Sequence, residues 1–179
     1  MALISTIPYN DPANSFAWLE WFRQVRELVD SLSRYGSFTK TVDATASAIN
    51  TATLITFDTN TITEGITFTE NSKITIPKTG VYAFDFSAQI TSTNASAKNL
   101  WFWPRVNGVN AAGFTMKQSI VSNNTTNVIS RTGVFKLNRG DYLQAYWATD
   151  DLNVTLKAEP ATAFAPATPA VLLSVAQIG

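Results

Sequence analysis

Between Val81 and Ile90 apolar and polar side chains alternate almost without a break: Tyr82, Phe84, Phe86, Ala88 and Ile90 fall on one parity, Val81, Ala83, Asp85, Ser87 and Gln89 on the other. Successive side chains of an extended backbone point to opposite faces, so this run predicts a strand with one face on a core. The same logic recurs where Leu100, Phe102 and Val106 oppose Trp101, Trp103 and Arg105, and where Leu143, Ala145 and Trp147 oppose Tyr142, Gln144 and Tyr146. Strands are expected near 52–58, 65–69, 73–77, 80–92, 99–107, 112–120, 126–137, 141–149, 153–158 and 170–178. Turn chemistry separates them at Thr63-Glu64-Gly65, Pro77-Lys78-Thr79-Gly80, Val106-Asn107-Gly108, Asn138-Arg139-Gly140-Asp141 and Thr149-Asp150-Asp151. Many short strands punctuated in this way, with no internal repeat, predict an all-β antiparallel jelly-roll sandwich. Its expected core includes Phe57, Tyr82, Phe84, Phe86, Leu100, Phe102, Leu143 and Trp147.

One segment follows a different period. Asp11-Pro12 has the form of a helix start, and Gly36 that of a residue just past a helix end. Between them Trp18, Phe22, Val25, Val29 and Leu32 are spaced 4, 3, 4, 3, and Trp21, Val25, Leu28, Leu32 and Tyr35 form a second frame sharing Val25 and Leu32. The two seams make one broad apolar face on a short N-terminal amphipathic helix. Either this face docks on the following domain or it registers a bundle of three chains. Two heptads are too few to associate alone, so the second reading requires the downstream domain to trimerise as well. Arg26 to Asp30 and Asp30 to Arg34 are spaced for ion pairs along the polar side. The expected organisation is an arm and helix over 1–36, a linker or edge strand over 37–50, and the jelly roll over 51–179. The Pro- and Ala-rich stretch from Glu159 to Pro169 is expected to be a surface loop lying over a neighbour, or a long crossover.

Composition excludes several chemistries. The 179 residues contain no His and no Cys, which removes imidazole general bases, Ser-His-Asp and Cys-His nucleophile pairs, thiolate and imidazole metal sites, and disulfides. Thirteen Lys and Arg balance thirteen Asp and Glu, so no basic footprint for nucleic acid or an anionic membrane is present. A chain of zero net charge repels its own copies weakly. The N-terminal residues Met1-Ala2-Leu3-Ile4 carry neither the basic start nor the long apolar run of a secretory signal, and no run is long enough to span a membrane. Synthesis in a cytoplasm without export by the signal-peptide route is therefore expected.

A glycosidase pair needs two carboxyl groups roughly 5 to 10 Å apart, one of them in a pocket that raises its pKa. Glu64, Glu70, Asp141, Asp150, Asp151 and Glu159 sit mostly at turns, where solvation or turn capping accounts for them. Asp85 lies within a strand beside Ser87 and Gln89 and suits a hydrogen-bonded interface. Asp150 and Asp151 are a weak calcium pattern. Arg139-Gly140-Asp141 matches an integrin-binding tripeptide by letter, but a tight turn already accounts for Gly-Asp. No catalytic, cofactor-binding or metal residue is expected.

Leu54-Ile55-Thr56-Phe57-Asp58, Gly65-Ile66-Thr67-Phe68 and the block Ile74-Thr75-Ile76-Pro77-Lys78-Thr79-Gly80-Val81-Tyr82-Ala83-Phe84 resemble the tumour necrosis factor and complement globular-head superfamily. The resemblance continues through Arg105-Val106-Asn107-Gly108, Phe135 to Ala145, and the closing run Ala170 to Ile178. It covers roughly residues 50 to 179 and implies a ten-strand jelly roll assembled as a compact homotrimer, with aromatic residues near the three-fold axis. Cys-free, Thr- and Asn-rich chains of this kind look like bacteriophage virion proteins, either capsid-decorating or fibre-tip modules.

The outward parity of two strands carries Trp101, Trp103 and Arg105, and Tyr142, Gln144 and Tyr146. Bare Trp is costly on a surface, and aromatic residues with Arg are typical of interface centres. These six residues are the expected trimer interface or ligand platform. The resulting expectation is a non-enzymatic virion protein, a homotrimer that decorates or cements a capsid and contacts other capsid or tail proteins, without nucleic acid, membrane or cofactor. The alternative is a tail-fibre tip or adhesion module for receptor binding, its rings stacking on cell-surface glycan.

Overall fold

The structure, a computed structural model, describes residues 7–8, 12, 15–30, 34–121 and 123–179. It divides into two compact units, Met1–Ser33 and Arg34–Gly179.

The first unit holds α1, Phe16–Asp30. Its first turn closes from Leu19 N to Ser15 O at 3.1 Å, so the helix begins after Ser15 and not at Pro12. Asp11 and Leu32 lie outside the described residues. Trp18, Trp21 and Phe22 cluster with ring centroids 5.3–5.8 Å apart, Trp21 edge-on to the other two. The polar side is organised around Arg23, which pairs with Glu20 and Glu27. The side chain of Asp30, on which the expected pairs with Arg26 and Arg34 rest, lies outside the described residues.

The second unit is a sandwich that has, among the described residues, fourteen strands: β1 Tyr35–Lys40, β2 Ala44–Thr45, β3 Thr53–Leu54, β4 Thr59–Glu64, β5 Thr67–Thr69, β6 Lys73–Thr75, β7 Gly80–Ser92, β8 Lys98–Val106, β9 Val109–Asn110, β10 Met116–Ile120, β11 Asn127–Leu137, β12 Tyr142–Thr149, β13 Val154–Leu156 and β14 Val171–Gln177. One sheet runs β2-β13-β7-β14-β1-β4, with β11 also on β7. Phe84 of β7 faces Gly133 of β11 and Val175 of β14, so these two strands flank β7 on opposite edges. The other sheet runs β10-β8-β12-β6-β5, with β3 on β12 and β9 on β8.

The boundary expected at Thr51 moves to Arg34. Tyr35 and Gly36 do not end a helix; they open β1, which is bonded to β14 on one side and β4 on the other. The reason is steric. A Cβ on Gly36 would sit 2.6 Å from the Phe38 ring, which is fully buried. Glycine here makes room for an aromatic neighbour in the core. The strand expected over 52–58 shrinks to β3; Phe57 reaches the core from a loop, its N–H bonded to Asn71 O at 2.7 Å. β4 lies where no strand was expected.

Phe57, Tyr82, Phe84, Phe86, Leu100, Phe102, Leu143 and Trp147 are all buried between the sheets. Phe86 of one sheet meets Phe102 of the other at 5.1 Å between centroids, and Phe102 stacks on Trp147. Phe38 and Phe68 close the far end at 4.6 Å.

Candidate interaction surface

On the outer face of the second sheet, antiparallel register sets Trp103 beside Tyr146 and Arg105 beside Gln144. Trp103 and Tyr146 stack with centroids 6.2 Å apart. The Arg105 guanidinium lies 3.9 Å over the Tyr146 ring, and both Arg105 Nε and Trp103 Nε1 donate to Asn110 Oδ1, at 2.7 and 2.8 Å. Lys117 of β10 lies 5.6 Å from the Trp101 ring centre, and Lys73 of β6 lies 5.1 Å from that of Tyr142. The strands thus deliver a ladder of half-buried rings, with a cation on one face of Trp101, Tyr142 and Tyr146. Pairing to Glu70 at 2.8 Å raises the pKa of Lys73, so it remains charged at neutral pH.

Gln144 does not belong to this platform. It has the outward parity but is buried, donating to Ser72 Oγ at 3.1 Å beneath the turn between β5 and β6. A buried amide that ties a turn to a sheet is structural.

The outer face of the first sheet has another character. On β11, β7, β14 and β1 the outward positions are Ser130, Thr132, Val134 and Lys136; Val81, Ala83, Asp85, Ser87 and Gln89; Leu172, Ser174 and Ala176; and Tyr35, Ser37 and Thr39. Only Asp85 and Lys136 carry charge. Asp85 accepts a hydrogen bond from Thr132 Oγ1, while Gln89 Nε2 donates to Pro169 O at 3.0 Å. Val128, Val134 and Leu172 are exposed. Among the described residues β11 pairs only with β7, so its second edge has no strand partner there along eleven residues. On α1, Phe16, Leu19, Phe22, Leu28 and Val29 are exposed, while Trp18, Trp21 and Val25 are half-buried.

The turn carboxylates have local partners. Asp141 Oδ2 accepts from Asn138 N at 2.7 Å and Oδ1 from Asn107 Nδ2 at 2.8 Å, while Gly140 takes φ 90°. The Arg-Gly-Asp tripeptide is thus a tight turn between β11 and β12 with its carboxylate engaged. Asp150 accepts from Asn99 N and Nδ2, both at 2.8 Å. Asp151 accepts from Asn153 N and Nδ2 at 2.8 Å and pairs with Lys98 Nζ at 3.0 Å; these contacts hold its pKa at about 2. Lys98 supplies the positive charge a calcium ion would bring, and no cluster of three or more acidic ligands occurs among the described residues.

Two surface features escape sequence reasoning. One is a narrow apolar cleft between the sheets beside β11, walled by Phe84, Phe86, Phe102 and Met116, with free space of about 20 Å³. Phe114 stacks on Phe135 at 4.1 Å to form one wall, in space left by Gly133, whose Cβ would lie 2.8 Å from that ring. The other is Phe164, 91% exposed in the loop before β14.

No family profile matches this sequence, and no curated protein matches it. Among solved structures, crystal structures of murine APRIL at pH 5.0, 8.5 and 8.0 superpose with TM-scores of 0.53, 0.52 and 0.51. Each is 12% identical and is covered completely by 82% of this chain. The fold is a TNF-like jelly roll. At such identity the likeness concerns architecture alone, and it agrees with the sandwich expected from strand alternation and from the Pro77 to Phe84 block.

Proposed function

We propose that this chain is a non-enzymatic structural protein of a bacteriophage virion, a homotrimer that decorates a capsid. The observation that carries the assembly is the nearly uncharged, small-residue face of β11, β7, β14 and β1, with Val134 and Leu172 exposed on it. Apolar area in a flat setting with little charge gains from association and meets little repulsion. The exposed apolar residues of α1 offer the anchor to a larger partner, and the absence of His and Cys from the sequence favours a structural over a catalytic role. Light scattering on the full chain across a hundredfold dilution tests the assembly. A mass three times the 19.5 kDa of the chain is expected; a monomer at micromolar concentration overturns it. The decorating role is tested by adding the purified protein to undecorated capsids of its phage: saturable binding that is lost when Phe16 and Phe22 are replaced by Ser supports it, and no binding refutes it.

The second reading is a glycan-binding tip. It is favoured by the half-exposed rings of Trp101, Trp103, Tyr142 and Tyr146, which offer flat surfaces to a sugar. A glycan array with hits that vanish in Trp101→Ala, at unchanged solution mass, supports it; an empty array counts against it.

A further inference from the structure

The charges of this chain balance overall but not locally. Among the described residues, the strands of the second sheet carry Lys73, Lys98, Arg105 and Lys117 and neither Asp nor Glu. Lys73 is paired with Glu70 and Lys98 with Asp151. Arg105 and Lys117 have no carboxylate partner among the described residues; their contacts are with Asn110 and with aromatic rings. Arg105 is nonetheless held in place. Its Nε donates to Asn110 Oδ1 at 2.7 Å, and its guanidinium lies 3.9 Å over the Tyr146 ring, which is itself stacked on Trp103. Its two terminal nitrogens have no acceptor among the described residues. A guanidinium fixed at its root and on one face, with its terminal donors open, is preorganised for a planar anion that accepts two parallel hydrogen bonds. Lys117 stands opposite Trp101 in the register of β10 and β8. Trp101 and Arg105 are separated by about 13 Å along β8 at the rise of an antiparallel strand.

Two unpaired cations and a row of half-buried rings along one sheet face suit an elongated ligand with widely spaced anionic groups. We propose that the outer face of the second sheet binds a polysaccharide bearing sugar carboxylates, with one carboxylate on the terminal nitrogens of Arg105, another at Lys117, and sugar rings against Trp101 and Trp103. A neutral sugar laid on this face would take water from both cations and return no charge to them. A nucleic acid strand brings a phosphate at every unit and draws its affinity from many basic contacts, whereas this face offers two and the chain has no net charge. The inference rests on the glycan-binding reading above and names the ligand class of that site. It is compatible with assembly through the first sheet, whose outer face is the opposite side of the sandwich.

The test is titration calorimetry of the full chain with four carboxylated polymers, polygalacturonate, alginate, hyaluronan and polysialic acid, and with a dT oligomer for comparison. Binding to at least one of the four is expected. Methyl esterification of the bound polymer keeps the sugars and removes the charge, and should weaken binding about tenfold or more. Arg105→Gln should weaken it as much, and Arg105→Lys, which keeps the charge without the paired donors, should not restore it. Lys117→Gln should weaken it less; Lys117 is exposed, so this variant reports even where Arg105→Gln fails to fold. Equal affinity for the polymer and its ester, lost in Trp101→Ala, refutes the carboxylate contact while the glycan reading stands. Affinity for the dT oligomer equal to that for the polymer refutes recognition of the sugar. No binding to any of the four polymers overturns the inference; neutral hits on the glycan array would then leave the glycan reading standing, and an empty array would remove both.

Discussion

Replacing Tyr82 by Ala probes the centre of the sandwich. The ring is fully buried on the inward face of β7, and its hydroxyl donates to Lys78 O at 2.8 Å. Burial pushes the phenol pKa up, with Arg34 opposing, so the group remains a donor throughout the neutral range. Removing a buried aromatic ring costs about 3–5 kcal/mol, because the lost transfer energy adds to that of an unfilled cavity. Tyr82→Phe separates the two parts. It deletes only the hydrogen bond, and Lys78 sits at a half-exposed turn where water replaces the donor, so its cost should be about 0.5–1.5 kcal/mol. In urea, with a slope of about 2 kcal/mol per molar, Tyr82→Ala should lower the midpoint by roughly 1.5–2.5 M and Tyr82→Phe by less than about 1 M. Both are to be measured at one protomer concentration, since assembly adds to apparent stability. A loss under about 1 kcal/mol for Tyr82→Ala, or equal losses for the two variants, would refute the placement of this ring as a core element.

Gly133→Ala should cost about 1–3 kcal/mol and displace Phe114, since the new methyl meets that ring at 2.8 Å; a change in near-UV circular dichroism without loss of β signal is the expected readout. Asp141→Ala removes the acceptor for Asn138 N and Asn107 Nδ2 and should destabilise by about 1–3 kcal/mol, measured by thermal unfolding; an unchanged Tm would show that the turn does not depend on this carboxylate. The Asp151 carboxyl, held down by Asn153 and Lys98, should titrate near pH 2 in carbon-detected NMR, whereas an unperturbed group titrates near 3.8. A depressed pKa favours the folded state at pH values above the unfolded pKa of about 4, and this contribution fades as the pH falls towards 2. A midpoint near 4 would contradict the contacts at Asp151.

Where alternation was strong the sequence was explicit. Tyr82 to Ile90 specifies β7, and Leu143 with Trp147 specifies the inward face of β12. β1 was legible only as a linker or edge strand from residue 37, because its inward positions are Gly36 and Phe38, a single large apolar residue that marks no period. β4 was hidden because Thr59 to Glu64 is polar except for Ile62, which is itself exposed. Gln144 shows a different limit: parity assigns a residue to a face but says nothing of what covers that face, here the Ser72 turn. The cleft could not be read at all. It arises from residues brought together across two sheets, with Gly133 yielding space to Phe114, and no local pattern encodes that meeting. The loop from Glu159 to Pro169 was legible as a surface excursion, whereas the exposure of Phe164 required the turn geometry.

β1 and β14 lie side by side, Tyr35 opposite Ala176, with Gln177 N bonded to Arg34 O at 2.7 Å. During synthesis β1 is made before β14 and can pair with β4 at once, but it must wait for residues 171–177 before its second partner exists. The sheet is therefore closed by its most distant pairing, which makes folding slow and leaves β1 and β7 each lacking a neighbour in the meantime. Nascent chains crowded on one message then expose matching strand edges together, and output will be governed by how quickly each chain is completed and released.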